Sequence, residues 1–267
     1  MNKRIIAVSI CSLLLLLAAI AAGLNAIFSI TSVKVNFSVF SEEARKEAKS
    51  LQEELDSFVG ASTTFLNLDD VKQTVAKYPS FRLESAEKNF PQTVVLSVTE
   101  RRETFALKRE DGKYDIYDSE GAYLGVKEQN VNRADGAENI LLEGFSLTAE
   151  TGKIAQGDRF AELLLAVSAF EAQTGSARMN IKSVAFVRPL ETDVRTESFE
   201  LQTREGVTVI LHNPSVKAGE KAEKAAQKYI GLEDEDRMFG KIRVLDVSAT
   251  GEILEPTYEP RVPAENN

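Results

Sequence analysis

A net charge of −9 over 267 residues, 43% of them hydrophobic, describes an acidic chain with enough apolar material for one or two cores, and its length favours two modest domains. Its surface repels phosphates, and no run of Lys or Arg is long enough to reverse that, so nucleic-acid binding is excluded. A single cysteine, Cys11, excludes both an intramolecular disulfide framework and a cysteine-based zinc site.

Residues 1–4 read as a short cytoplasmic stub, with Lys3 and Arg4 ahead of an apolar run at 5–30 that holds no charged residue. About 20 apolar residues in a helix rise about 30 Å, the thickness of a hydrocarbon core. The expectation is therefore a single N-terminal transmembrane helix over 5–30. A cleavable signal peptide is the alternative, since Ala19, Ala21, Ala22 and Gly23 supply small residues at suitable spacing. Its apolar region would be about 7–15 residues, however, and this run continues past the candidate cleavage point. The basic flank puts the N-terminus in the cytoplasm and the bulk of the chain outside, as a single-pass type II protein of the cell membrane.

Val33, Val35, Phe37 and Val39 alternate with Lys34, Asn36 and Ser38, which predicts a strand with one apolar face. Ser41 stands at an N-cap, with Glu42 and Glu43 in the first turn, where carboxylates favour the helix dipole. Ala44, Ala48, Leu51, Leu55, Phe58 and Val59 then recur at helical spacing as far as Gly60. A second helix starts at Asn67, carries Val71, Val75 and Tyr78 on one side, and stops at Pro79. A strand from Phe81, a break at Phe90 and Pro91, and a strand with Val94, Leu96 and Val98 at alternate positions complete the unit. Residues 31–101 thus read as β-α-α-β-β, two helices covering one face of a three-stranded sheet.

From 102 to 250 strands and turns prevail. Asp111 and Gly112 form a hairpin turn between strands at 105–107 and 114–117, and residues 127–138 form a polar loop ahead of apolar 140–142. Phe160, Leu163, Leu164, Val167 and Phe170 define a helix ending near Gly175, and strands follow at 181–188, 197–203 and 207–211. A helix over 214–230 carries Val216, Ala222, Ala225, Ala226 and Tyr229, and 241–247 reads as the last strand. The fold class expected is α+β: a helical anchor, a β-α-α-β-β domain, and a mixed, mostly antiparallel β domain with two helices. Residues 251–267, with Pro256, Pro260 and Pro263 among polar residues, are expected to form a flexible tail.

Catalytic chemistry finds no foothold. His212 is the only histidine and reads as a solvated turn residue before Asn213 and Pro214. The acidic pairs Glu42-Glu43 and Asp69-Asp70 belong to helix starts, and Glu233-Asp234-Glu235-Asp236 to an exposed charge run. No G-x-S-x-G, H-E-x-x-H or phosphate-binding glycine loop occurs. The expectation is a non-enzyme with no catalytic residue, no cofactor and no metal site.

The order of elements and the run Phe90-Pro91-Gln92-Thr93-Val94 followed by Val98-Thr99-Glu100-Arg101 resemble the FtsQ/DivIB family of bacterial division proteins. Tyr117-Asp118-Ser119-Glu120-Gly121, Leu142-Glu143-Gly144, the hairpin 201–209 and Val244-Leu245-Asp246-Val247 are similar to further segments of that family. The resemblance implies that 31–101 is a POTRA domain and 102–250 an FtsQ/DivIB-type β domain. It also implies a scaffold of the divisome at the septum, which binds FtsB/DivIC-like and FtsL-like bitopic partners outside the membrane and regulates the septal peptidoglycan synthase complex. Family members take up a partner strand at the edge of the second domain's sheet. Carried over, that edge comprises Ile242, Arg243, Val244, Leu245, Asp246 and Val247, with the segment after it through Tyr258. The side chains of Ile242, Val244 and Val247 also fit ordinary core positions of a last strand. A cell-envelope hydrolase using carboxylates of the second domain, or a POTRA-bearing envelope-assembly module, is the alternative.

Overall fold

A computed structural model describes residues 3–189, 197–245, 247–248 and 251–260. The fold is α+β with a large mixed sheet, and the chain falls into two compact units divided between Arg101 and Arg102.

The first unit opens with α1 (Lys3–Ile27), and here the expected transmembrane helix over 5–30 has to be corrected. Among the described residues no helix is long and apolar enough to cross a membrane. The end of the apolar run also has a different task. Ile30 is buried in the core of the first unit, and its backbone bonds the loop after α2: its N–H donates to the Ala61 oxygen and its carbonyl accepts from Gly60. Apolarity at 28–30 therefore reflects packing inside the unit.

The rest of the unit is β1 (Ser32–Ser38), α2 (Glu42–Leu55), α3 (Leu68–Ala76), β2 (Phe81–Asn89) and β3 (Thr93–Glu100). The last strand lies in the middle: β3 pairs with β1 in parallel, Ser32 opposite Thr93, and with β2 antiparallel. Val94, Leu96 and Val98 of β3 bury against Ala44, Ala48, Leu51 and Leu55 of α2 and Val71 and Val75 of α3. Both helix caps follow the sequence: Ser41 Oγ accepts from the Ala44 N–H, and Asn67 Oδ1 from the Asp69 N–H.

One buried charge fixes how these parts meet. Glu100, 3% exposed, accepts from the N–H groups of Phe40 at 2.5 Å and Ser41 at 2.9 Å, and from Ser41 Oγ at 2.6 Å. The carboxylate at the end of β3 thereby holds the N-cap of α2. Burying a charge is costly unless hydrogen bonds replace its water, and here three donors do so.

The second unit contains β4 (Glu103–Lys108), β5 (Tyr114–Asp118), β6 (Tyr123–Lys127), β7 (Ile140–Glu143), α4 (Phe160–Thr174), α5 (Ala177–Asn180), β8 (Ile181–Val187), β9 (Ser198–Thr203), β10 (Thr208–His212), α6 (Ala218–Ile230), α7 (Asp234–Arg237), β11 (Lys241–Val244) and β12 (Thr257–Glu259). Among the described residues all nine strands form one sheet, in the order β12-β11-β10-β9-β8-β7-β4-β5-β6. The pairs β7–β8 and β10–β11 are parallel, and each is joined through a helix, α4 and α6 respectively. These two helices pack on each other, aided by Ala218, Ala222, Ala225 and Ala226 of α6. Their core holds Phe160, Leu163 and Phe170 with Val209, Leu211, Ile242 and Val244 of the sheet. The helix expected over 214–230 begins at Ala218, because Asn213 and Lys217 adopt left-handed backbone (φ 46° and 53°) and make a turn of residues 213–217.

Glu100→Gln keeps the size but not the charge at the junction of β3 and α2, and Glu100→Ala leaves three donors without an acceptor. The expected losses are about 2 and about 3 kcal/mol of stability for the first unit. Urea unfolding of the full chain, with the wild type alongside, measures this. An unchanged first transition in both variants would show that the carboxylate is not the tie described.

Candidate partner-binding edge

Strand β11 is shorter than expected, ending at Val244 rather than at 247, and it is not the last strand. Ile242 and Val244 are fully buried toward α6, Arg243 is half-buried on the opposite face, and Leu245 is 47% exposed. Asp246 lies outside the described residues. Val247 packs against the core and bridges to Ile253. Beyond it the chain returns: β12 pairs antiparallel with β11, Tyr258 opposite Ile242 and Thr257 opposite Arg243. The predicted site residues that are described are thus brought together at one end of the sheet, but Ile242, Arg243 and Val244 sit one strand in. Tyr258 belongs to the outermost strand.

The part of the expected flexible tail that is described, 251–260, is held by named contacts. Arg243 Nε donates to both Glu259 carboxylate oxygens, at 2.9 and 3.0 Å. The Tyr258 hydroxyl lies 2.9 Å from the carbonyl oxygens of Asp236 and Phe239. Burial, and next the Asp236 carboxylate, raise the Tyr258 pKa, which keeps the hydroxyl a donor at neutral pH. Gly240 leaves room for this ring: a Cβ there would stand 2.7 Å from Tyr258 Cε2. Further back, Lys224 Nζ donates to the Ile253 oxygen at 3.1 Å and to Glu255 at 2.7 Å, and Ile253 is buried. The Arg243–Glu259 pair is partly exposed and contributes only about 0.5 kcal/mol. Tyr258 is the stronger tie.

Residue types explain why β12 went unread. Three residues between Pro256 and Pro260 are too few to show alternation, and both prolines argue against a strand. The available signal was Thr257 and Tyr258, both strand formers, after the apolar pair Ile253 and Leu254. Those prolines also limit the edge, because neither can donate a backbone hydrogen bond.

At the other end of the sheet, β6 is partly covered: the Tyr123 N–H donates to the Lys153 oxygen at 2.9 Å, and the Gly152 N–H to the Tyr123 oxygen at 2.8 Å. On β12, Thr257 and Glu259 are exposed, and Leu245, Leu254, Met238 and Phe239 flank the same end of the sheet as exposed apolar side chains.

His212 is not the solvated turn residue expected. It is the last residue of β10, half-buried, and its Nε2 is buried without a hydrogen-bond partner among the described residues. Burial, followed by the nearby charges of Arg243 and Lys221, lowers its pKa, so the imidazole is neutral at pH 7. Lys221, fully buried on α6, donates to the carbonyl oxygens of His212 at 2.8 Å and Asn213 at 2.9 Å and so closes the end of β10. The paired carboxylates lie where the sequence put them, in the first turns of α2 and α3 and around α7. Among the described residues no group of three or more His, Cys, Asp or Glu side chains is placed to hold a metal ion. Neither a scan against protein-family models nor a comparison with curated proteins finds a match for the chain.

A His whose folded pKa is depressed keeps its full contribution to stability above the unfolded value and loses it as pH falls. Protonation of the unfolded chain begins near 6.5, so the second unit loses stability as pH falls below 6.5. His212→Gln removes that dependence. Thermal unfolding from pH 8 to 5 checks it: the wild type has the steeper decline below 6.5, and parallel curves would rule the effect out.

Proposed function

We propose that the chain is a non-enzymatic scaffold of the bacterial division machinery of the FtsQ/DivIB type, acting at the septum outside the membrane. It binds FtsB/DivIC-like and FtsL-like partners and through them regulates septal peptidoglycan synthesis. The motifs that resemble the family, the β-α-α-β-β order within the first unit and the sheet packed with two long helices in the second all support this reading. The observation that carries it is the outer edge of β12, an exposed strand end on a nine-stranded sheet with exposed apolar side chains beside it. A strand that is paired on one side only offers unused N–H and C=O groups, and a partner segment can take them up by extending the sheet.

The edge is short. Three residues at about 3.3 Å each give about 10 Å of pairing, so side chains next to it have to supply much of the affinity. Leu245, Leu254, Met238 and Phe239 are available for that.

Depletion of the protein followed by microscopy tests the role in division. The expected result is filamentous cells with uncleaved septa, and normal division would overturn the proposal. The β10–β11 pairing turns the backbone groups of Lys241 and Arg243 toward Glu259 and Thr257, so on the outer edge of β12 it is Tyr258 that presents its N–H and C=O. Tyr258→Pro removes that outward donor, while Val244→Pro disrupts β11 inside the sheet. Co-purification of the division partner falls at least tenfold with Tyr258→Pro and less than threefold with Tyr258→Ala, which keeps the N–H, while circular dichroism of both stays that of the wild type. With Val244→Pro, both binding and fold suffer. Unchanged capture by a folded Tyr258→Pro variant would move the contact away from β12.

A further inference from the structure

We propose that the occupant of the β12 edge is a basic extended segment: a short apolar strand flanked on both sides by Lys or Arg. This rests on reading β12 as the docking edge, and it adds the chemistry of what docks there. Residues 233–260 hold eight Asp or Glu against three Lys or Arg, a net of −5 in a chain whose whole charge is −9. The cations in this stretch are partly engaged within the fold. Arg243 is held by both oxygens of Glu259, and Arg237 donates to the carbonyl oxygens of Leu232 and Ile230.

Carboxylates remain at either end of β12, each set beside apolar surface. Toward Pro260, Tyr258 meets the segment that carries Asp234, its side chain 98% exposed and 3.9 Å from the Arg237 guanidinium, with Glu235, Met238 and Phe239. Phe239, Lys241, Glu259 and Pro260 border one hollow there. In the segment leading to Pro256, Glu252, Leu254 and Glu255 border a hollow beside α6 with Glu220, Glu223, Lys217 and Lys224, and Glu255 is 87% exposed at its side chain although Lys224 reaches it. Between these groups the edge offers about 10 Å of backbone, room for three paired residues. An acidic segment would meet like charge at both ends. A segment with apolar residues at its centre and cations at its ends meets apolar side chains and carboxylates at both ends, where the carboxylates outnumber the cations Lys241 and Lys224.

The test uses the full-length protein and three fluorescent heptapeptides, read by anisotropy at 50 and 500 mM NaCl. The first has Val-Ile-Val between two Lys pairs, the second has the same centre between two Glu pairs, and the third replaces the central Ile of the first with Pro. The first binds at least tenfold tighter than the other two at low salt, and loses at least tenfold at high salt. The quadruple variant Asp234→Asn, Glu235→Gln, Glu252→Gln, Glu255→Gln weakens it at least fivefold. A control that removes four carboxylates elsewhere, Glu42→Gln, Glu43→Gln, Glu110→Gln, Glu128→Gln, leaves it within twofold. Equal binding of the Lys and Glu peptides, with the Pro peptide weak, would overturn the basic occupant and leave the edge standing. Equal binding of the Lys and Pro peptides, or equal loss in the control variant, would show general attraction to an acidic surface and overturn the inference. Binding of none of the three would overturn the edge as well.

Discussion

A sheet that does not close on itself ends in a strand with one unpaired row of N–H and C=O groups, and this constraint governs the second unit. Two of its parallel neighbours, β7–β8 and β10–β11, can only be joined through long crossings, and α4 and α6 provide them. Both crossings pack into one core with Ile242 and Val244, which leaves β11 buried on that side and paired to β10 on one edge. Its remaining edge is covered by the returning chain. The outcome is a new edge displaced by one strand, cut to three residues by Pro256 and Pro260. A short edge resists indiscriminate pairing while still admitting a segment whose side chains fit around it.

Buried charges set the geometry in both units. Glu100 ties β3 to the cap of α2 with three hydrogen bonds, and Lys221 reaches from α6 to the last carbonyls of β10. Each sits where a strand end would otherwise leave polar groups unanswered. Such contacts contribute modestly to net stability when intact, but removing one partner leaves the rest unsatisfied, which favours a single arrangement of helix on sheet.

Much of the first unit is legible because its signals are local: alternation in β1 and β3, Ser41 and Asn67 as caps, and apolar residues at helical spacing in α2 and α3. The second unit is legible where elements are long, as in α4, and less so where they are short. The four-residue helices α5 and α7 are too brief for any periodicity, and β12 is hidden by its prolines. Lys221 reads as the polar face of an amphipathic helix, and nothing in the local pattern says that its ammonium is needed at the end of a strand. The end of the apolar run, residues 28–30, misled for a related reason. Apolarity measures what leaves water, and Ile30 leaves it for the core of its own unit. Of the candidate site, the neighbourhood was readable in Ile242 to Val247 and Tyr258. Which strand lies outermost was not, because pairing order depends on contacts far apart in sequence.

Backbone protection separates an added strand from any other mode of attachment. Hydrogen–deuterium exchange of the full-length protein, alone and with its captured division partner, reports it at the Tyr258 amide, which faces away from β11. Strand addition at β12 slows exchange there, with smaller effects at Met238, Phe239 and Leu254. Protection that appears elsewhere in the chain while the Tyr258 amide exchanges as before would contradict it.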